Sequence, residues 1–127
     1  MGEEEQIVVK GTIGILEEIA NIDLSILSIR ERMFMEMYMR CGFEREITLT
    51  ELCYIIFEDY SAIPAYKKSG RRGQLYRNAQ KLIAKRVLEE LKHPVRFKLR
   101  KNGNTIRYIK WILENRYGIY VRKELIY

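Results

Sequence analysis

A chain of 127 residues, 47% hydrophobic and 31% charged, has enough apolar material to bury one core. It has no run of 18 apolar residues, which excludes an ordinary membrane-spanning helix. The net charge of +6 hides a division: residues 1–59 hold five basic and thirteen acidic residues, and residues 60–127 hold eighteen basic and four acidic, so the halves carry −8 and +14.

A half so positive repels itself unless something anionic lies against it. Nucleic acid, with its phosphates in a dense line, is the usual anion of that size. A solvated basic surface with no ligand is the competing reading. The N-terminus, Met1-Gly2-Glu3-Glu4-Glu5, has the wrong sign for a signal peptide, so a cytoplasmic protein is expected.

In chain order, residues 6–24 are open. Ile7-Val8-Val9 fits a short strand or a frayed arm, and Ile13 to Ile22 fits a short helix with Ile15, Leu16 and Ile19 inward. Ser25 or Ser28 can cap a helix to about Cys41, and Gly42 stands in the stop position. Its stripe is Ile26, Ile29, Met33 and Met37, with Phe34 beside it. Met33, Met35, Met37 and Met39 alternate as a strand would, but the flanking charges and the long stripe favour helix, with methionine as core filler.

A second helix opens with a capping box, Thr48 and then Glu51, each able to satisfy the other's free amide. Leu49, Leu52, Cys53, Ile56 and Phe57 form its apolar face, and it ends near Asp59. A polar basic connection from Tyr66 to Gly73 follows. The third helix is expected over about Gly73 to Lys92, with Leu75, Ala79, Leu82, Ile83 and Val87 inward. Gln74, Arg77, Asn78, Lys81 and Lys85 share a narrow arc on its other side.

Pro94 closes that helix, and Val95 to Arg100 alternate with period two. Asn102-Gly103 is a strong hairpin signal, because a type I′ turn needs two positive φ angles. Such a hairpin sets Leu99 opposite Ile106, Phe97 opposite Tyr108 and Lys98 opposite Arg107. The competing reading is a helix capped by Asn104 through Tyr117, with Ile106, Ile109 and Leu113 inward and Gly118 as its stop. Residues 119–127 read as a strand or a docked arm.

Cys41, Cys53 and the lone His93 make no zinc pattern. Two buried thiols are the default, with a disulfide as the alternative. His93 has no evident nucleophile as partner, the acids lie mostly away from the basic half, and Ser69-Gly70-Arg71-Arg72-Gly73 lacks the Lys-Ser/Thr ending of a phosphate loop. The expectation is a non-enzyme with no metal, no cofactor, no membrane and no small-molecule ligand. Abundant Ile, Tyr, Glu, Lys and Arg, with three glutamines, leans towards a thermophile.

The order of a helix, a capped short helix, a helix with a polar outer stripe and a basic ribbon resembles the winged helix-turn-helix superfamily over roughly residues 25–111. The resemblance implies an α+β fold, mainly α, in which the third helix lies in the major groove and a hairpin wing, here Val95–Trp111, touches backbone or minor groove. One domain over residues 1–127 is expected, with extensions at 1–24 and 112–127. The family joins its second and third helices by a tight turn, whereas about a dozen residues separate Asp59 from Gly73 here.

Side-chain chemistry points the same way. Gln and Asn pair with adenine and Arg with guanine, so Gln74, Arg77 and Asn78 at the helix start are the expected base readers. Lys81 and Lys85 would hold phosphates. Arg96, Lys98, Arg100 and Arg107 would give the wing its charge, and Lys67, Lys68, Arg71 and Arg72 a flexible phosphate clamp; edge-strand protection and a solvated loop are the bland alternatives. The expected partner is double-stranded DNA, bound by a transcriptional regulator, with a homodimer conceivable through the Met- and Ile-rich first helix. Two rivals stand beside it. The acidic half could dock on a basic protein, or Tyr108, Trp111, Tyr117, Tyr120 and Tyr127 could stack on single-stranded DNA or RNA, although core or dimer interface is the favoured place for most of them.

Overall fold

The computed structural model describes residues 6–7 and 19–126. The architecture is α+β and mainly helical. In chain order the elements are β1 (Gln6–Ile7), α1 (Ile29–Cys41), β2 (Ile47–Thr48), α2 (Leu49–Ile56), α3 (Ala65–Ala84), β3 (Leu88–Leu91), β4 (Arg96–Leu99), α4 (Gly103–Tyr117) and β5 (Tyr120–Val121). Single 3-10 turns lie at Leu24–Ile26, Tyr60–Ala62 and Lys123–Leu125.

Local chemistry fixes where the first two helices begin. The Glu31 amide donates to Ser28 Oγ at 3.2 Å, and the Ser28 amide donates to the Glu31 carboxylate at 3.4 Å. Thr48 and Glu51 repeat this at α2, at 3.0 and 3.1 Å. Each box satisfies amides that the first helical turn leaves without partners. α1 stops at Gly42, whose φ of 60° lies in the left-handed region that residues with side chains rarely adopt.

α1 is the central helix, packed on α2, α3 and β4. Met33, Phe34, Met35 and Met37 are all sealed from solvent. At 100° per residue Met33 and Met37 share one side and Met35 the other, so the strand-like alternation of methionines sits on a helix buried from both sides. Ile26, expected in the stripe, falls on the preceding 3-10 turn and is exposed. The methionines expected at a dimer surface are thus mostly core, with Met39 half-buried and Arg40 exposed on the same helix.

The main sheet is antiparallel in the order β2-β4-β3. Ile47 pairs with Phe97, and Leu88 with Leu99. Phe97, Leu88 and Leu99 turn inward to the core while Arg96 and Lys98 stay half-exposed, as the period-two pattern requires. A second pairing, parallel, joins β1 to β5.

Several expectations give way. α3 begins just after Pro64, so the segment from Tyr66 to Gly73, expected as a loop, is its first half. Burial of Leu75, Ala79 and Leu82 and the contacts of Arg71 and Lys68 with the α2–α3 link outweigh the poor helix propensity of Ser69, Gly70 and Gly73. The link itself covers only residues 57–64. α3 ends at Ala84, where the left-handed φ of 64° at Arg86 turns the chain, and Leu88–Leu91, expected as its tail, is a strand. Cross-strand burial of Leu88 against Leu99 overrides the helix preference of Leu and Glu.

The hairpin is therefore β3–β4, with its turn at residues 92–95, and the wing expected at Val95–Trp111 is corrected accordingly. Asn102-Gly103 opens a helix instead of a turn. Asn102 Oδ1 accepts from the Thr105 amide at 2.9 Å, and Ile106, Ile109, Ile112 and Leu113 are buried at helical spacing up to the left-handed Gly118. The helix reading of 104–117 holds, with the cap at Asn102.

Cys41 and Cys53 are free, buried thiols, and burial pushes both thiol pKa values up. The Tyr38 hydroxyl donates to the Ile126 carbonyl at 2.9 Å inside the core, and burial pushes its pKa up to about 12. Val8, Val9, Tyr127 and most of the expected helix from Ile13 to Ile22 lie outside the described residues. Among those described, no helix is long and apolar enough to cross a membrane.

Candidate nucleic-acid interface

The charge division along the sequence is partly closed in space. Arg116 holds Glu31 through two bonds of 3.1 and 2.9 Å. Arg96 meets Glu46 at 2.6 Å, and Arg71 holds Asp59 at 2.9 and 3.1 Å. Each pair joins a cation of the second half to a carboxylate of the first. The Arg96 and Arg71 pairs are partly exposed and stabilise little, whereas Glu31 is buried; all three withdraw their arginines from a ligand.

α3 is the remaining cationic platform. Its twenty residues include no Asp or Glu. Leu75, Ala79 and Leu82 face the core; Tyr66, Ser69, Gly70, Arg77, Gln80, Lys81 and Ala84 are exposed on the other side. Lys67, Arg77 and Lys81 are exposed, and their side chains make no ion pair or hydrogen bond among the described residues. The Arg77 guanidinium lies back over Gly73, where an added Cβ would meet its Nη1 at 3.2 Å.

The expected base readers divide. Arg77 is outward, and its side chain is unengaged among the described residues. Asn78 is half-buried and spent inside the fold: its Oδ1 accepts from Arg30 Nε at 3.4 Å, and its Nδ2 donates to the Gln74 carbonyl at 3.0 Å. Gln74 is half-buried on the same flank. All three lie in the middle of α3, and the first turn carries Tyr66, Lys67 and Lys68 instead. Lys81 is outward, and Lys85 caps the helix end with its Nζ 5.1 Å above the Tyr108 ring.

The clamp expected as a loop lies on α3. Arg71 is held by Asp59 and lies 4.7 Å over the Phe57 ring. Arg72 donates to Thr50 Oγ1 at 2.6 Å, and Lys68 sits 5.4 Å over the Tyr60 ring. Of that group Lys67 alone is unengaged among the described residues. On the hairpin, Arg96 donates to the Pro94 carbonyl at 3.2 Å as well as to Glu46, so it fastens the turn. Lys98 stands opposite Glu89, not Arg107, and Arg107 lies on α4 beside Asn104. Arg100 is exposed just past the end of β4.

The hairpin also brings a carboxylate to α3. Glu90 accepts from the Tyr76 hydroxyl at 3.0 Å and from Gln80 Nε2 at 3.1 Å, and the first of these bonds raises the Tyr76 pKa. Sequence reasoning missed this contact because it placed Glu90 on the helix. It also missed Tyr66, 75% exposed in the first turn of α3. The legible signal was Pro64 ahead of a long acid-free run, since proline suits a helix start.

Comparison of the chain with protein-family models, with curated proteins and with solved structures finds no match.

Proposed function

We propose that the chain is a sequence-specific double-stranded DNA-binding protein of winged helix-turn-helix type, acting as a transcriptional regulator, with α3 in the major groove. One observation carries the reading: a twenty-residue helix without a carboxylate presents Lys67, Arg77 and Lys81 to solvent, unengaged among the described residues. A solvated helix face ordinarily mixes signs, with Glu placed ahead of Lys for mutual support. The order of α1, capped α2, α3 and hairpin supports the superfamily, and pairing of β2 to β4 fastens the hairpin to the start of α2.

In this reading Arg77 is the base reader, since its planar fork matches the two acceptors of guanine. Lys67 and Lys81 flank it as phosphate anchors that position the helix without reading sequence. The exposed hairpin turn, with Lys92 and His93, takes the place of the wing expected further along the chain. Fluorescence anisotropy against random duplex and single-stranded DNA of equal length, at several salt concentrations, tests the reading. Tight duplex binding that falls steeply with salt is the expected result. Absence of binding to either form at low salt ends it.

A further inference from the structure

A second cationic feature lies apart from the outer face of α3. A cavity of about 580 Å³ opens where α3 ends and α4 begins, lined chiefly by Ile83, Arg86, Arg100, Asn102, Asn104 and Arg107. Three arginines reach it from three places: Arg86 from the turn after α3, Arg100 from the end of β4 and Arg107 from the second turn of α4. No carboxylate lines it.

These arginines differ from Arg71, Arg96 and Arg116, which the fold pairs with acids. Among the described residues, Arg100 Nε donates to the Leu88 carbonyl alone, at 3.4 Å, and Arg107 to the Asn104 side chain. The side chain of Arg86 makes no hydrogen bond or ion pair among the described residues. Like charges gathered without a counter-charge repel one another. The backbone nevertheless fixes them together, because Asn102 Nδ2 donates to the Arg86 carbonyl at 3.0 Å while Asn102 caps α4.

A neighbouring cavity of about 460 Å³ shares Asn104 and Arg107 and adds Arg30, Lys85, Tyr108 and Trp111. Its one carboxylate, Glu31, is already held by Arg116. The Trp111 ring is 43% exposed and lies within 19° of parallel to Tyr108. The two cavities adjoin at Asn104 and Arg107, and the second sets the Tyr108 and Trp111 rings beside Arg30 and Lys85 to make one cationic groove with an aromatic wall.

We infer that this groove is a phosphate-binding site, with the group held by Arg86, Arg100 and Arg107. Guanidinium forks bind phosphate oxygens two at a time, which suits a concave cluster of arginines better than a flat lysine surface would. The phosphate has two possible sources: a phosphodiester of DNA passing α3, or a free mononucleotide whose base lies against Trp111. The site stands on its own geometry and does not depend on α3 reading DNA.

Trp111 is the only tryptophan of the chain, so its emission reports on this groove in the intact protein. It is followed during titration with inorganic phosphate, with AMP and with random duplex DNA, at an ionic strength held constant with chloride. Wild type is compared with Arg107→Gln, with the double variant Arg100→Gln/Arg107→Gln and with Arg77→Ala, after circular dichroism has checked each fold. A saturable change with at least one ligand is expected, weakened tenfold or more in the double variant. Arg77→Ala should leave any response to phosphate or AMP unchanged. A response to phosphate or AMP assigns a free ligand. A response to duplex alone, with the salt slope lowered by about one in the double variant, assigns a DNA phosphodiester.

No saturable change with any ligand, or equal affinity in the double variant and wild type, overturns the site. If the double variant does not fold, Arg107→Gln decides, because that side chain is exposed and its hydrogen bond among the described residues is to Asn104 alone. A phosphate response without duplex binding keeps the site and removes the DNA reading.

Discussion

Arg71 and Asp59 form a two-point ion pair across the link between α2 and α3, with Nη1–Oδ1 at 2.9 Å and Nη2–Oδ2 at 3.1 Å. The pair makes Arg71 an architectural residue although it belongs to the same basic run as Lys67. Arg71→Ala should lower stability by about 0.5 kcal/mol, the ordinary worth of an exposed pair, and leave base preference alone. Arg77→Ala should keep the melting temperature and cost about 1–3 kcal/mol on the preferred duplex while relaxing base choice. Asn78→Ala should behave like Arg71→Ala, because Arg30 and the Gln74 carbonyl already occupy its amide. Thermal melts and duplex titrations of the three variants check this, and equal loss of base preference in all three would refute the division.

Gly70 sits on the exposed side of α3, and a Cβ added there meets nothing within 4 Å. Gly70→Ala should therefore stabilise the protein by up to about 1 kcal/mol through helix propensity alone. If α3 enters the major groove by this face, the same methyl group holds it off the DNA and duplex affinity falls. Opposite signs in a denaturant melt and a duplex titration are the expected outcome; a rise in both would turn this face away from the DNA.

Glu31 is buried and its carboxyl is held below the ordinary value of 4.5, chiefly by the hydrogen bonds from Arg116. A lowered pKa in the folded state means that the ionised form is the one the fold favours. The contribution is thus complete above the unfolded-state pKa and is lost as pH falls through the folded one. Glu31→Gln should melt below wild type at pH 7, and the gap should shrink as the solution is acidified through and below the carboxylate range. A gap that does not change with pH would assign the loss to packing and not to the charge.

Asn102 does two jobs with one amide: its Oδ1 caps α4 and its Nδ2 ties the Arg86 carbonyl. Asn102→Ala should cost about 1–2 kcal/mol. Asn102→Asp keeps the cap but loses the donor, so its melting temperature should fall between those of Asn102→Ala and wild type. An Asp variant no better than Ala would place the value of the residue in the tie to Arg86.

Features written in a few neighbouring residues were legible in the sequence. Thr48 and Glu51, Ser28 with its stop at Gly42, and the alternation from Arg96 to Leu99 all rest on contacts within four residues or on a single period. What failed depended on distant partners. Asn102-Gly103 serves a tight turn and a helix start equally well, and burial of Ile106, Ile109 and Ile112 decides between them. Leu88-Glu89-Glu90-Leu91 suits a helix until β4 lies beside it. The candidate site was legible in composition, because the acid-free run and Arg77 stand out unaided. Which cations the fold consumes was not, because Asp59, Glu46 and Glu31 find their arginines only after the chain has closed on itself.

The bond from the Tyr38 hydroxyl to the Ile126 carbonyl also orders events during synthesis. α1 leaves the ribosome early, but its acceptor follows 88 residues later. At about 5–20 residues per second that interval is roughly 4 to 18 s. Throughout it the Tyr38 hydroxyl has no acceptor in place, although α2 and α3, which pack on α1, have already followed.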